Sequence, residues 1–368
     1  MIRSWCGADA LARLACLDDF HAGVVAPPGQ VLPGAAVWSD YHASWTPLLV
    51  EALECGETVA AMGLAVRRWR GMIEARRLGP DDEEMTVAAA GPTEATVLGR
   101  AVCSRLTEAD RHWTLRLANV VAGPTSEAFV RTLPRAKAYV SGRCPQAVFV
   151  PGEPLGRYVT RKMRDNAHRA YNLAAAAGTP LVPCWVTDPD EIQEVLPDVI
   201  EVHRARNQQV RGYAILDSPA EASQFRAQVL AHARTGTAHL LVIRGADELA
   251  AFSVCFTNGR LMRVYANLVS PQWLHVSAGT LASVEVVRRA HADPGIDVLS
   301  WGAGESRYKS SCSTTTCELT TILGFSSPPT QLAWGALRAR RRHESSSDTD
   351  GCVEPQDVGN RLTERQSP

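Results

Sequence analysis

Glu305, Tyr308 and Lys309 stand at spacing i, i+3 and i+4, which a helix gathers onto one face. A carboxylate, a phenol and an ammonium side by side form a candidate site. The same spacing also describes an exposed Glu305–Lys309 pair with Tyr308 in packing, and both readings stand at this point. The chain has only three lysines, Lys137, Lys162 and Lys309, in a background of arginine. A retained lysine there points to a need for a compact, tunable ammonium. A second candidate is the run Ser277-Ala278-Gly279-Thr280. Small residues at a helix start leave backbone N–H groups free at the positive end of the dipole, an arrangement suited to a diphosphate. His203 shares an apolar stripe with Ile192, Leu196 and Val199. A histidine so placed reads as a core residue or as a functional one. Tyr265, in the middle of an apolar strand, is open to the same two readings.

Helices and strands alternate along the 368 residues, with no repeat of solenoid length. In the first half the pattern predicts a loop over 21–38 and a helix over about 39–53. Strands follow at 58–66 and 72–78, joined at Arg67-Arg68, then at 85–90. A helix at 94–106, a strand at 112–120, a helix at 126–133 and a strand at 147–150 complete this half. Pro151 to Pro154 marks a boundary. The second half opens with a basic helix over 158–177 that carries Arg161, Lys162, Arg164 and Arg169. A strand at 181–186 and helices at 189–206 and 219–233 come next. A three-strand meander covers 239–244, 249–257 and 261–268, with Asn258-Gly259 as a hairpin turn. A helix at 280–292, a strand at 296–301, a short helix at 305–310 and a strand at 318–323 end the folded part. From about 328 the composition turns polar, with a basic run at Arg338 to Arg342, and reads as a disordered tail.

Composition narrows the function. Hydrophobic residues make up 45% and charged residues 21%, enough for a full core, and the formal net charge is −1. No global field draws the chain to DNA or to an anionic membrane. Ten cysteines are scattered without a CxxC pair or a histidine cluster, so no metal is expected. No signal-peptide core opens the chain, and the expectation is a reduced, cytoplasmic protein without a membrane span. Trp301-Gly302-Ala303-Gly304 follows a strand like a dinucleotide loop, but Arg307 stands where the third glycine belongs. Neither a GxSxG elbow nor a P-loop is present.

Three segments in order carry a resemblance. They are Leu261-Met-Arg-Val-Tyr-Ala-Asn-Leu268, Ser277-Ala-Gly-Thr-Leu281 and Ile296-Asp-Val-Leu-Ser-Trp-Gly-Ala-Gly-Glu-Ser-Arg-Tyr-Lys309. Over most of residues 1–327 the chain resembles the GNAT superfamily, and within it the CelD-type acetyltransferases, whose double-lobed plan is shared with Fem-type peptidyl transferases. The resemblance implies a mixed α/β (α+β) fold of two GNAT-like lobes. A degenerate lobe would span 1–150, an acyl-CoA-binding lobe 151–327, and the tail 328–368. It implies an acyl-CoA donor, acetyl-CoA above all, an amine acceptor on a small molecule or peptide, and no metal. The diphosphate would sit on Ser277, Ala278, Gly279 and Thr280. The pantetheine would run beside Ala266, Asn267 and Leu268, and Lys309 would neutralise a phosphate or hold the acceptor. Tyr308 would protonate the departing thiolate, with Glu305 beside it. His203 would serve as base or acceptor contact, and Arg204 and Tyr265 would bind the acceptor. Many GNAT enzymes carry a glutamate base on the strand matching 261–268, and this chain has none there. The Fem likeness keeps an aminoacyl-tRNA donor as an alternative, with tRNA a partner in that case alone. A non-catalytic binding protein of the same fold is the third reading.

Overall fold

The computed structural model describes residues 1–24, 26, 31–81, 83–213 and 216–336. A single sheet of thirteen strands runs through it. The first half contributes β1 (Ile2–Cys6), β2 (Thr46–Glu54), β3 (Glu57–Trp69), β4 (Met72–Arg77), β5 (Ala88–Ala89), β6 (Trp113–Val121) and β7 (Lys137–Val148). The second half adds β8 (Val182–Val186), β9 (Ala238–Gly245), β10 (Glu248–Asn258), β11 (Leu261–Val269), β12 (Val298–Ser300) and β13 (Thr315–Phe325). The spatial order is β1-β2-β3-β4-β6-β13-β7-β12-β11-β10-β9-β8, with β5 on β3. The β4–β6 and β11–β12 pairs are parallel, and the other named pairs are antiparallel. The mixed α/β class expected from the alternation is the class that forms.

Helices cover both faces of each half. In the first half α1 (Ala8–Leu14), α2 (Asp18–Gly23) and α3 (Leu32–Tyr41) lie on one side. There Ala10, Leu14, Leu17 and Trp38 pack on Leu49 and Ala61. On the other side α4 (Pro92–Ala109) and α5 (Pro124–Val130) bury Leu98, Val102 and Phe129 against Leu48, Val50 and Leu115. In the second half α6 (Arg161–Ala176) and α9 (Ala278–Ala292) cover one face. On the opposite face lie α7 (Pro189–Arg211) and α8 (Pro219–Arg234). Strand β9 shows the alternation that results. Leu241 and Ile243 face α6 and α9, whereas Leu240 and Val242 face α7 and α8. A short helix, α10 (Arg307–Ser311), precedes β13.

The sheet interleaves the two halves. Strand β13, last in the sequence, lies between β6 and β7, while β7 lies between β13 and β12. The last strand of each half thus pairs with strands of the other.

Several expected elements differ. Residues 39–53 are not one helix. The helix α3 ends at Tyr41 and β2 begins at Thr46. Because β2 has helices above and below it, Pro47 to Leu53 are buried on both faces, and a continuous apolar run hides strand periodicity. The expected loop over 21–38 holds the end of α2 and most of α3, which Pro33 starts at its first turn. The β3–β4 turn falls at Arg70-Gly71 rather than at Arg67-Arg68, since Trp69 pairs with Met72. The expected strand 85–90 shrinks to Ala88–Ala89 and a bridge from Met85 to Val120. Residues 328–336, expected as tail, are helical, with Trp334 against Phe325 and Thr330 bonded to Ser326 and Ser327. The remainder of that expected tail lies outside the described residues.

Candidate active site

The central feature is a parting of two parallel strands. β11 and β12 pair only from Leu261↔Val298 to Arg263↔Ser300. Past Ser300 the chain follows β7 instead. The Trp301 amide donates to Pro145 O (3.1 Å) and the Gly304 amide to Arg143 O (2.8 Å). Gly302 and Gly304 both hold positive φ, 72° and 90°, a conformation that favours glycine and lets the chain turn away. The half-buried run from Tyr265 to Val269 is therefore left without a β12 partner. On its other side β11 stays paired to β10, with a register shift opposite Val254/Cys255 that makes Tyr265 the extra residue of a bulge.

The start of α9 meets the far end of that open edge. A Cβ at Gly279 would lie 3.2 Å from the Val269 Cβ, so glycine permits the close approach. Ser277, exposed, is the N-cap in the left-handed region (φ 62°), and its carbonyl accepts from Thr280 N (2.9 Å) and Leu281 N (3.3 Å). No side chain caps this helix, and its first turn carries no acid. Its leading N–H groups are thus available to an anion. Gly279 thus sets the start of α9, at Ser277 to Thr280, against Val269, the residue that follows Ala266, Asn267 and Leu268 on β11. The Asn267 side chain is engaged elsewhere, accepting from Ser253 Oγ (3.0 Å) and donating to Ser283 Oγ (3.1 Å). It ties β10 to α9 and leaves the strand backbone to face the gap.

His203 and Tyr265 fall in one aromatic cluster. The His203 ring lies 5.7 Å from Phe225, which stacks on Tyr265 at 5.7 Å and 17°. Phe256 packs on Tyr265 at 4.8 Å. Burial, with Arg211 nearby, lowers the His203 pKa to about 4. The ring is neutral at pH 7, and Asn207 Nδ2 lies 3.0 Å from its Nδ1. If that amide donates, the ring proton sits on Nε2, which is then the ring's donor. Arg204 lies apart from this cluster. It donates to Leu216 O (2.6 Å) and lines a groove of about 460 Å³ between α7 and α8 with Pro197, Ile200 and Arg226.

The expected triad on α10 divides. The helix begins at Arg307, so Glu305 precedes it, lies exposed and faces Arg143 at 3.4 Å. It shares no helix face with Tyr308 and Lys309, and the Glu305–Lys309 pair does not form. Lys309 turns inward, where its Nζ donates to Gly302 O (3.3 Å) and Ala303 O (2.9 Å). The ammonium thus holds the turn that parts the strands. Burial lowers its pKa, against the opposing pull of Cys144 and Glu84. Tyr308 meets the Trp301 ring edge-on at 5.7 Å and 88°, and burial pushes its phenol up to about 12.

Sequence reasoning missed a buried ionic cluster at the point of parting. Arg263 Nε donates to Glu84 Oε2 (2.8 Å), and Arg263 Nη1 lies 2.7 Å from Glu83 Oε1. Ser300 Oγ donates to Glu84 Oε1 (2.5 Å), and Cys144 Sγ lies 3.2 Å from that hydroxyl. Arg77 Nη1 donates to the Glu83 and Glu84 carbonyls. Burial pushes the Glu84 carboxyl up, but Arg263 and the Ser300 hydrogen bond outweigh it and hold the pKa below the ordinary value. A lone arginine in the apolar run 261–264 was the only local signal, and its carboxylates lie about 180 residues upstream. Among the described residues, no group of three or more His, Cys, Asp or Glu is placed to hold a metal ion. Among them, too, no helix is long and apolar enough to cross a membrane.

Residues 161–310 match the family described as Acetyltransferase (GNAT) domain. No curated protein matches the chain. Among solved structures, that of FemX covers 87% of this chain and 98% of its own, at 11% identity and a TM-score of 0.61. The C-terminal domain of a putative lysylphosphatidylglycerol synthetase from Agrobacterium fabrum covers 89% and 94%, at 10% identity and 0.53. L-PGS from Bacillus licheniformis covers 90% and 95%, at 9% identity and 0.51. At such identities the likeness is one of fold. Residues 161–310 are thus similar to the acetyltransferase (GNAT) domain family, and the fold of the chain as a whole is similar to that of FemX.

Proposed function

We propose that the protein moves an acyl group, acetyl in the simplest case, from acyl-CoA to an amine on a small molecule or peptide by direct transfer. The observation that carries this reading is the open β11 edge ending at an uncapped, acid-free helix start. The backbone of Ala266, Asn267 and Leu268 would pair with the pantetheine amides, and the start of α9 at Ser277, Ala278, Gly279 and Thr280 would receive the diphosphate, chiefly on the amides of Ala278 and Gly279. The thioester then lies where β11 and β12 part, beside the amine. Holding both reactants in one complex supplies most of the rate.

Tyr308 is the proposed acid. With its phenol pushed up to about 12 it stays protonated at working pH and meets the departing sulfur as an O–H donor. The burial that raises the phenol also raises a thiolate placed beside it, so the two acids rise together. Lys309 would serve by fixing the turn at Gly302 and Ala303. His203 and Tyr265 would shape the acceptor wall between α7, α8 and β11, with Arg204 at its outer margin. Glu305 would stay at the rim.

Calorimetric titration with CoA, acetyl-CoA and longer acyl-CoAs tests the donor. One equivalent per chain is expected, and an absence of heat with all of them removes the reading. Tyr308→Phe should retain acetyl-CoA affinity and lower kcat by about a hundredfold or more. An unchanged kcat would discard Tyr308 as the acid.

A second donor is supported by the exposed Arg161, Lys162 and Arg169 on α6 together with the FemX-like fold. These cations could meet the backbone of an aminoacyl-tRNA. Binding of tRNA that weakens steeply with salt, in a chain indifferent to acyl-CoA, would favour it.

A further inference from the structure

Arg263↔Ser300 is the last rung shared by β11 and β12, and both of its side chains bond one carboxylate from the other half of the molecule. Glu84 is 2% exposed and receives Arg263 Nε on one oxygen and Ser300 Oγ on the other. It arrives on the segment that follows β4, and Arg77, the last residue of β4, holds that segment by donating to the carbonyls of Glu83 and Glu84. Glu83 takes the other side of the Arg263 guanidinium. The cluster balances two guanidiniums with two carboxylates away from water, an arrangement that tolerates no missing member because each remaining charge would stay buried and uncompensated.

A three-rung parallel pair is short; past Ser300 the backbone bonds to β7, and the last rung before that turn is the one whose two side chains both reach the same carboxylate. The Glu84 carboxylate closes the last rung from the side, and beyond that rung the strands separate. We infer that Glu84, delivered by the first lobe, is a positioning residue that fixes where β11 and β12 part and hence where the acyl end of the donor lies. The first lobe is then a working part of the transferase site, although the donor contacts proposed above come from the second. This rests on the acyl-CoA reading. It concerns the thioester end alone, since Glu84 bonds the strands at Arg263 and Ser300, whereas the nucleotide end belongs to the start of α9.

That asymmetry sets the test. Glu84→Gln and Ser300→Ala are prepared in the full chain and titrated calorimetrically with acetyl-CoA and with adenosine 3′,5′-diphosphate, which carries only the nucleotide end. Ser300→Ala removes one bond of the clamp while keeping the ion pair, so it serves where Glu84→Gln fails to fold. Glu84→Gln is expected to weaken acetyl-CoA about tenfold or more and Ser300→Ala severalfold, with the nucleotide affinity of both unchanged. Equal affinity of both variants and wild type for acetyl-CoA overturns the inference. So does a folded variant that loses both ligands alike, because that marks a general structural role. A wild-type chain that binds neither ligand takes down the acyl-CoA reading and this inference with it.

Discussion

The molecule carries the same junction twice, open in one half and shut in the other. In the first half β4 and β6 form a parallel pair as β11 and β12 do in the second, with rungs from Ile73↔Trp113 to Arg76↔Arg116. The edge beyond does not stay free. The chain leaves β4, passes through Glu83 and Glu84, and returns to β6 at Met85. There Met85 N donates to Asn119 O (2.9 Å) and Val121 N to Met85 O (2.8 Å). The helix that follows differs too. α4 starts with Gly91 as N-cap, Pro92 next and Glu94 in the first turn, with the Glu94 carboxylate lying back over Gly91. Pro92 has no N–H to give, and Glu94 meets the positive end of the dipole with its own charge. At the matching positions α9 has Ser277, Ala278 and Thr280. One bridge and two residues thus separate a junction with room for an anionic, extended ligand from one that supplies its own strand partner and its own anion.

The largest effect should come from giving the open half the charge of the closed one. Thr280 stands in α9 where Glu94 stands in α4, three residues past the N-cap. Thr280→Glu places a carboxylate about 4 Å from where the diphosphate is proposed to lie, and like charges at that range in a partly buried site cost several kcal/mol. Acetyl-CoA affinity should fall about a hundredfold or more. Thermal stability should hold or rise slightly, since an acid in the first turn favours the helix. A folded Thr280→Glu chain that binds acetyl-CoA normally would break the comparison at its main point.

Acid should distinguish the halves by a smaller margin. Burial lowers the pKa of His203 to about 4 and of His232 to about 3 in the second half, and of His21 to about 4 in the first. In each case the unfolded chain takes up its proton near pH 6.5 and the native state only far below that. Their contribution is therefore complete above pH 6.5 and is lost as pH falls toward 4. By pH 5 a deeply buried group such as His232 accounts for up to about 2 kcal/mol, so Tm should drop between pH 7 and pH 5. His232→Gln should flatten part of that drop. Hydrogen exchange at pH 5 should show α7 and α8 loosening before α4 and β6, and the reverse order would contradict the assignment.

How much of this was legible follows from where each cause resides. The meander and the start of α9 were readable because their signals are local: Asn258-Gly259 makes a turn, and Ser277 to Thr280 offers small residues before an apolar stripe. β2 misled because its partners above and below erase the alternation that would have shown it. The first part of β7, from Lys137 to Ser141, is exposed on both faces, Tyr139 and Val140 included, so no buried/polar alternation revealed that it pairs with β13. Lys309 was singled out by its rarity, but its direction depended on α10 starting two residues later than expected. The Glu84 cluster was illegible because a carboxylate and the arginine it neutralises are joined only by the packing of the two halves of the chain. The closed junction was equally hidden, since Met85 bridges Val120 across 35 residues.

The smallest effect should come from the reverse change, and its size carries information. Glu94→Gln with Pro92→Ala would give α4 an uncharged start with its amide restored, close to what α9 has. If a helix terminus alone made a donor site, such a chain would take up a second equivalent of acetyl-CoA. The bridge at Met85 stays in place, however, so the β6 edge remains occupied and a pantetheine has no strand to pair with. The stoichiometry should remain one per chain, and stability should change by less than about 1 kcal/mol, the size of one first-turn charge. A second bound equivalent would mean that the helix start, and not the free strand edge, decides which half holds the donor.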